Sequence, residues 1–390
     1  MYSHSSTSPG SAAPLRILQT CFSRSWGGLE IQALEMSRQL ARRGHQVWLA
    51  CCPGSRLQQE AAAEEIRTLA HDVSGYFHPR IAWALGRFIA HQAIEVVHCQ
   101  LSKDISTLVP AVRLSFTNPP VILSKRVGSY LSKRDPLHRL TYAGVSRVLA
   151  ISDVIHRNVL ETTPIAPERV VTLHDSVDTD FFSPARTNGS SIRREYELGG
   201  DIVVVGFVGR FSPGKGHEEL LQAAEIIHKQ RKNVRFLVVG EASYGERQYE
   251  MMIRSMARTM GLEKIVLFAG FRKNIPEAMA AFDLLAFPSH AESFGVVLIE
   301  AMAMELPVVS TNCDGVLDIV VNGETGLYVP PRNATELAAA LLRLIDSPET
   351  RHRMGKAGRS RVIGKFDQRQ QIEKLVEIYR GVLPQMNTDQ

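Results

Sequence analysis

Two glutamates and two cations carry the chemistry this sequence offers most plainly. Glu292 and Glu300 stand eight residues apart in FPSHAESFGVVLIEAMA, which runs from Phe287 to Ala303. Carboxylates accept hydrogen bonds, so one could hold the hydroxyls of a sugar and the other those of a ribose. The spacing slightly exceeds two helical turns, so both would face one side if both lay on helix. Solvated glutamates on a capped amphipathic helix remain the alternative for the pair taken alone. The second group lies in DIVVVGFVGRFSPGKGHEELLQAA, where Gly209-Arg210 and Pro213-Gly214-Lys215-Gly216 follow a β-branched run. Glycines let a phosphate approach the backbone, Arg210 offers a planar fork, and Lys215 offers a point charge. Neither the GxxxxGK[ST] nor the GxGxxG phosphate-binding pattern is present.

The elements that must position these residues are strands followed by helices. FDLLAF before Glu292 reads as a buried strand, and Val297, Leu298, Ala301 and Met302 recur at helical spacing after Gly295. Phe294, Gly295 and Val296 therefore sit where helix N–H groups and the positive end of the dipole face an anion. Strands are expected at 15–22, 46–52, 94–99, 121–123, 148–151 and 169–173. A second series is expected at 202–208, 234–239, 265–268, 284–287, 307–310 and 326–329. Helical patterns between them, and a last one at 366–383, point to parallel sheets covered on both faces. The polar stretch 186–200 reads as a linker.

At 390 residues, 44% apolar and 22% charged, the chain has the composition of a globular protein with about two to three domains. No apolar run approaches the roughly 18 to 20 residues of a membrane span. Residues 1–14 lack the basic start and apolar core of a signal peptide and read as a disordered tail. Five cysteines without CxxC spacing indicate neither a zinc site nor a disulfide framework, and a reducing, cytoplasmic setting is the simplest expectation. The formal charge is only +5, yet the 35 residues from Arg113 to Arg147 carry a net +6. That segment could attract anionic lipid, a phosphorylated ligand or nucleic acid. Without aromatic interleaving, nucleic acid is the poorest of the three.

Taken together, the motifs resemble the retaining GT-B glycosyltransferases of family 4, from Leu15 to about Leu383. The resemblance rests on the turn Gly27-Gly28-Leu29-Glu30, the strand end Ala150-Ile151-Ser152 and the segment 175–182. It continues through the GRFSPGKG loop, the turn Gly270-Phe271, the paired glutamates and Asn322-Gly323-Glu324-Thr325-Gly326. It implies an α/β chain of GT-B architecture, with two Rossmann-like domains whose parallel sheets face across a cleft. The expected N-terminal domain spans 15–185 plus a C-terminal helix at 372–390, and the expected nucleotide-sugar domain spans 201–371.

The family further implies a nucleoside-diphosphate sugar as donor and no metal or other cofactor, consistent with the lack of an Asp-x-Asp motif. Arg210 and Lys215 would stabilise the leaving diphosphate, aided by backbone N–H groups of Gly27, Gly28, Gly209 and 294–296. Glu292 would bind the donor sugar, Glu300 the ribose, and the backbone near Phe271 and Arg272 the base. His290, next to Glu292, could touch the sugar or simply belong to the loop.

On the acceptor side the sequence departs from the family. Ser124-Lys125-Arg126 replaces a frequent Thr-x-His, and Asp175-Ser176 replaces a frequent Asn-Gly. His98, at a strand end, could serve catalysis or sit in the core. Lys103, Asp104, Lys125 and Arg126 are candidate contacts for a polar or phosphorylated acceptor. The expected acceptor is a glycan or lipid-linked precursor of a bacterial surface polysaccharide such as lipopolysaccharide. Peripheral contact with the inner membrane face would run through a helix near 136–143 bearing Leu137, Leu140 and Tyr142. The alternatives are transfer to a small soluble acceptor, nucleotide-sugar epimerisation, and non-catalytic binding of glycans or nucleotide sugars.

Overall fold

The computed structural model describes residues 13–75, 78–243 and 245–384, so most of the expected N-terminal tail lies outside the described residues. The chain forms two compact units. The first takes the described residues up to Ala150, His156–Thr172, and those from Lys374 onward; the second takes Ile151–Ile155 and Leu173–Glu373.

The first unit holds seven strands: β1 (Arg16–Cys21), β2 (Gln46–Cys51), β3 (Arg67–Ala70), β4 (Val96–Cys99), β5 (Val121–Lys125), β6 (Val145–Ala150) and β7 (Val170–Thr172). They lie in the order β3-β2-β1-β4-β5-β6-β7, and every pairing is parallel. RILQTC and VVHC are almost wholly buried, as expected where helices cover both faces of a parallel sheet. The short edge strand β3, RTLA, has a polar start and no buried residue, which is why its sequence reads as loop.

The second unit holds β8 (Val203–Val208), β9 (Val234–Val239), β10 (Val266–Gly270), β11 (Leu284–Phe287), β12 (Val308–Thr311) and β13 (Gly326–Val329). Their order is β10-β9-β8-β11-β12-β13, again all parallel. Its core gathers Val205, Phe207, Leu220, Ala224, Phe236, Leu284 and Leu341 between the sheet and its helices. In each sheet the strand order reverses once, between β1 and β4 and between β8 and β11. Ligands of open α/β sheets bind at that reversal, beyond the carboxyl ends of the strands.

Residues 186–200 do not form a bare linker. Ser190–Glu195 is a helix with Ile192 buried. Arg193 donates to the Ala281 carbonyl at 3.0 Å and pairs with Asp283 at 2.7 Å, fastening this stretch to the second unit. The chain passes to that unit at Leu173, earlier than composition suggests. The helix Pro348–Lys365 is likewise unreadable as an amphipathic pattern. Its Gly355 and Gly358 allow close approach instead: a Cβ on Gly355 would lie 1.9 Å from the Glu305 carbonyl oxygen.

The last helix, Gln368–Val382, brings Tyr379 into the first unit, where its hydroxyl meets His98 Nδ1 at 2.6 Å. His98 is fully buried, and its Nε2 meets Ser124 Oγ at 2.8 Å. Gln19 donates to the Tyr379 hydroxyl at 3.2 Å, which leaves that hydroxyl to donate to Nδ1. Loss of water holds the imidazole neutral, with a pKa lowered to about 3, and nearby Arg126 adds to the effect. His98 thus sits in the core of this unit, with both ring nitrogens hydrogen-bonded. Tyr379→Phe should cost roughly 1 to 3 kcal/mol in urea or thermal unfolding, because Nδ1 and the Gln19 amide lose a buried partner. Unchanged stability would contradict this network.

Candidate active site

Three close backbone approaches at the strand ends of the second unit build the site. Gly209 follows β8, and Gly240 follows β9 with φ of 142°. A Cβ on Gly240 would stand 1.9 Å from the Gly209 oxygen, so neither the angle nor the space admits a side chain. Gly216, with φ of 81°, opens the helix His217–Gln230 without any side-chain cap. Its missing Cβ would fall 2.2 Å from the Pro288 oxygen, so the glycine-rich loop rests on the loop after β11. The His290 N–H donates to the Gly214 oxygen at 2.8 Å and fixes that contact. Gly315 makes the third approach, its virtual Cβ lying 2.2 Å from the Ser293 oxygen while its N–H bonds the Glu292 oxygen at 2.9 Å.

These contacts bring the two sequence motifs together. Lys215 Nζ lies 2.6 Å from Glu292 Oε2, with side chains 27% and 18% exposed. Glu292 is not on the helix: it precedes Gly295, which caps Val296–Ala303 with φ of 106° and no side-chain cap. The helix N–H groups near Gly295 and Val296 are therefore presented without a side-chain acceptor. Arg210 is 55% exposed, bonds Ser243 Oγ at 3.1 Å and stands 4.0 Å from Glu246, which leaves much of its fork to solvent.

Glu300 lies one turn into that helix. Part of its surface remains open, yet its carboxyl is surrounded densely enough that loss of water raises its pKa to about 7. Among the described residues the carboxyl has no hydrogen-bond or ion-pair partner. Such a group is suited to hydroxyl donors that a ligand would supply.

Other expected donor contacts are placed differently. The Phe294 side chain is buried, its ring 5.7 Å from both His174 and Phe366, so only its backbone can face a ligand. Arg272 is taken up by Glu195 and by the Tyr196 hydroxyl at 2.7 Å, an ion pair that its sequence position does not reveal. Phe271 beside it is 52% exposed. Both ring nitrogens of His290 are engaged, by Glu219 at 2.9 Å and by Arg332 at 3.3 Å, which makes it a loop brace.

Several supports were missed from sequence. Ser152 Oγ donates to the Ser293 oxygen at 2.6 Å, and Asp314 accepts from the Glu292 N–H at 3.3 Å. Asp318 accepts from the Asp153 N–H at 2.8 Å and meets His174 Nε2 at 3.2 Å. Asp153, His174 and Asp318 form the one cluster of metal-ligand type among the described residues. With His174 packed on Phe294, this cluster braces the loop from behind. The Ser152 signal was available in the Ala-Ile-Ser strand end, but its partner was not.

In the first unit, Gly27 is extended (φ −165°) before the helix Gly28–Arg42, and space for a Cβ at Gly28 is open. At the β1/β4 reversal, Asp104 is fully buried, accepts from the Phe22 N–H at 3.2 Å, and is pushed by burial up to about 7. Lys125 is 6% exposed and donates to Ser102 Oγ at 3.3 Å; burial, then Lys133, lowers it to about 8. Arg126 is also buried, whereas Lys103 is only half-buried. Cations thus gather at this strand end, with His98 turned away into the core.

Comparison with known proteins fits this geometry. A family model for glycosyl transferases group 1 matches residues 190–361, and one for glycosyltransferase family 4 matches 26–181. A capsular polysaccharide biosynthesis glycosyltransferase of Staphylococcus aureus is 31% identical over 60% of this chain and 62% of its own length. A D-inositol 3-phosphate glycosyltransferase of Kineococcus radiotolerans is 29% identical over 91% of this chain and 90% of its own. The Anabaena protein HepE, solved with UDP and glucose, shares the fold with a TM-score of 0.80 at 22% identity, over 94% of this chain and 99% of its own. The chain belongs to the GT-B glycosyltransferases, and it is a glycosyltransferase enzyme.

The raised pKa of Glu300 sets a pH dependence. Between its ordinary value of 4.5 and about 7 the folded protein holds a proton that the unfolded chain releases, so stability falls as pH rises through that window. Glu300→Gln should therefore be more stable than the wild type at pH 8, by roughly 1 to 3 kcal/mol, and equal to it near pH 4. Thermal melts across that range measure the difference, and a pH-independent gap would contradict the desolvated carboxyl.

Proposed function

We propose that this enzyme moves a sugar, with retention at the anomeric carbon, from a nucleoside-diphosphate sugar to an anionic or lipid-linked acceptor. The contact between Lys215 and Glu292 carries the reading, because it sets a diphosphate cation beside a hydroxyl acceptor at a strand-order reversal. As the anomeric C–O bond breaks, negative charge grows on the diphosphate and the sugar becomes oxocarbenium-like. Lys215, Arg210 and the N–H groups at Gly295 and Val296 stabilise the leaving charge in a preorganised site. Glu292 holds sugar hydroxyls and Glu300 holds the ribose. Basic residues perform the task a metal serves elsewhere, so no metal is required. Retention is supported by the family resemblance.

The buried cations Lys125 and Arg126 support an acceptor that brings negative charge, such as a phosphorylated sugar or a lipid-linked surface-glycan precursor of the lipopolysaccharide type. One relative is named for D-inositol 3-phosphate and another for capsular polysaccharide biosynthesis, which supports keeping both kinds of acceptor in the reading. Cytoplasmic placement is supported by five unbridged cysteines and by the lack, among the described residues, of any helix long and apolar enough to cross a membrane.

Lys215→Ala should lower turnover about a hundredfold, on the order of 3 kcal/mol of transition-state stabilisation, while the fold survives. Near-normal release of nucleoside diphosphate from a panel of nucleotide sugars would overturn the assignment.

Peripheral contact with an anionic bilayer completes the reading. It rests on the basic segment 113–147 and on the helix Pro136–Ala143, where Leu137 and Leu140 are 68% and 57% exposed. Tyr142 is buried and takes no part. Binding to anionic vesicles should weaken with salt, and with Lys133→Glu plus Arg134→Glu, each charge being worth about 1 kcal/mol near the surface. Salt-insensitive binding, or none at low salt, would favour a soluble acceptor.

A further inference from the structure

A second basic site lies at the other end of the first sheet. The helix Pro136–Ala143 stops just before β6 begins at Val145, and Arg169 immediately precedes β7 at Val170. Arg134, Arg139 and Arg169 surround a cavity of about 410 Å³ at these strand starts, with Pro164, Ile165 and Ala166 among its apolar walls. The strand carboxyl ends, where donor and acceptor chemistry belong, lie at the opposite edge.

Each guanidinium is held by a backbone carbonyl. Arg134 donates to Leu160 at 2.7 Å, Arg139 to the Arg134 oxygen at 2.8 Å, and Arg169 to Val145 at 3.5 Å. Each keeps further N–H donors free of these bonds. Among the described residues no carboxylate lies within ion-pair distance of any of the three. Of the two acids adjacent in sequence, Glu168 beside Arg169 is exposed, and Asp135 beside Arg134 is engaged by His138 through its ring nitrogen at 2.5 Å and its N–H at 3.2 Å. Three like charges around one cavity repel one another, and an anion at its centre relieves that repulsion. Guanidinium forks match phosphate oxygens in pairs, and the apolar walls suit the carbon skeleton attached to the phosphate.

We propose that Arg134, Arg139 and Arg169 form a binding site for the phosphate group of an organic phosphate, distinct from the donor loops. A lipid headgroup and a soluble phosphate ester share that chemistry. The proposal is independent of the donor reading. It sharpens the membrane reading from a diffuse basic surface to a defined cavity.

The test keeps charge constant. Arg139→Lys plus Arg169→Lys preserves the net charge and removes two of the three forks. Ala166→Glu, which leaves every arginine in place, sets a carboxylate on the cavity wall. Two probes are titrated against the full chain with UDP present to fill the donor loops: inorganic pyrophosphate in solution, and vesicles of phosphatidic acid in neutral lipid. Both variants should bind at least one probe about tenfold more weakly than the wild type, with unchanged melting temperature and donor turnover. Loss on vesicles alone assigns a lipid headgroup, and loss with pyrophosphate alone assigns a soluble ester. Equal binding of both probes by wild type and both variants overturns the site. A diffuse basic surface would still respond to salt in that case, so its survival or failure is read separately.

Discussion

The bond between Lys215 and Glu292 is the constraint on which the second unit's site depends. It joins the loop after β8 to the loop after β11, the two strands flanking the order reversal. Partly withdrawn from water, each charge would be costly alone, so either side chain is held in place by the other. In the proposed reaction, a diphosphate on Lys215 and sugar hydroxyls on Glu292 would replace that bond on both sides without leaving a charge unsatisfied. The contact in turn requires backbone to touch backbone at Gly240, Gly216 and Gly315, where a methyl group would already overlap a carbonyl. Glycine in this site is a spacing device as much as a source of flexibility.

The first unit solves a different problem. Its strand-order reversal is filled with polar side chains that have little access to water: Gln19, His98, Asp104, Ser124, Lys125 and Arg126. Tyr379, from the end of the chain, completes the hydrogen bonding of His98 and Gln19. Burying such groups costs free energy unless each finds a polar partner, as Lys125 does in Ser102 Oγ.

Much of this was legible in the sequence. Continuous apolar runs such as VVVGFV and VRFLVV mark interior parallel strands, and all six strands expected in the second unit are present within about two residues. The order of motifs carried the GT-B resemblance. What escaped reading depends on partners distant in sequence. Nothing near His98 announces Tyr379, and nothing near Arg272 announces Glu195. The helix Pro348–Lys365 packs through glycine approaches that leave no periodic apolar stripe. The burial that raises Glu300 and lowers Lys125 is likewise a property of the assembled environment, not of the local string.

The most direct test of the account compares the affinity of one nucleoside diphosphate with that of its sugar conjugate, in wild type and in Glu292→Gln, by calorimetry. If Glu292 holds the sugar, the variant should bind the bare diphosphate as well as the wild type or better, since Lys215 is released. The sugar conjugate should meanwhile lose at least tenfold relative to it, about 1.4 kcal/mol. An equal loss for both ligands, or none for either, would contradict the assignment of Glu292 to the sugar and with it the central role given to the Lys215 contact.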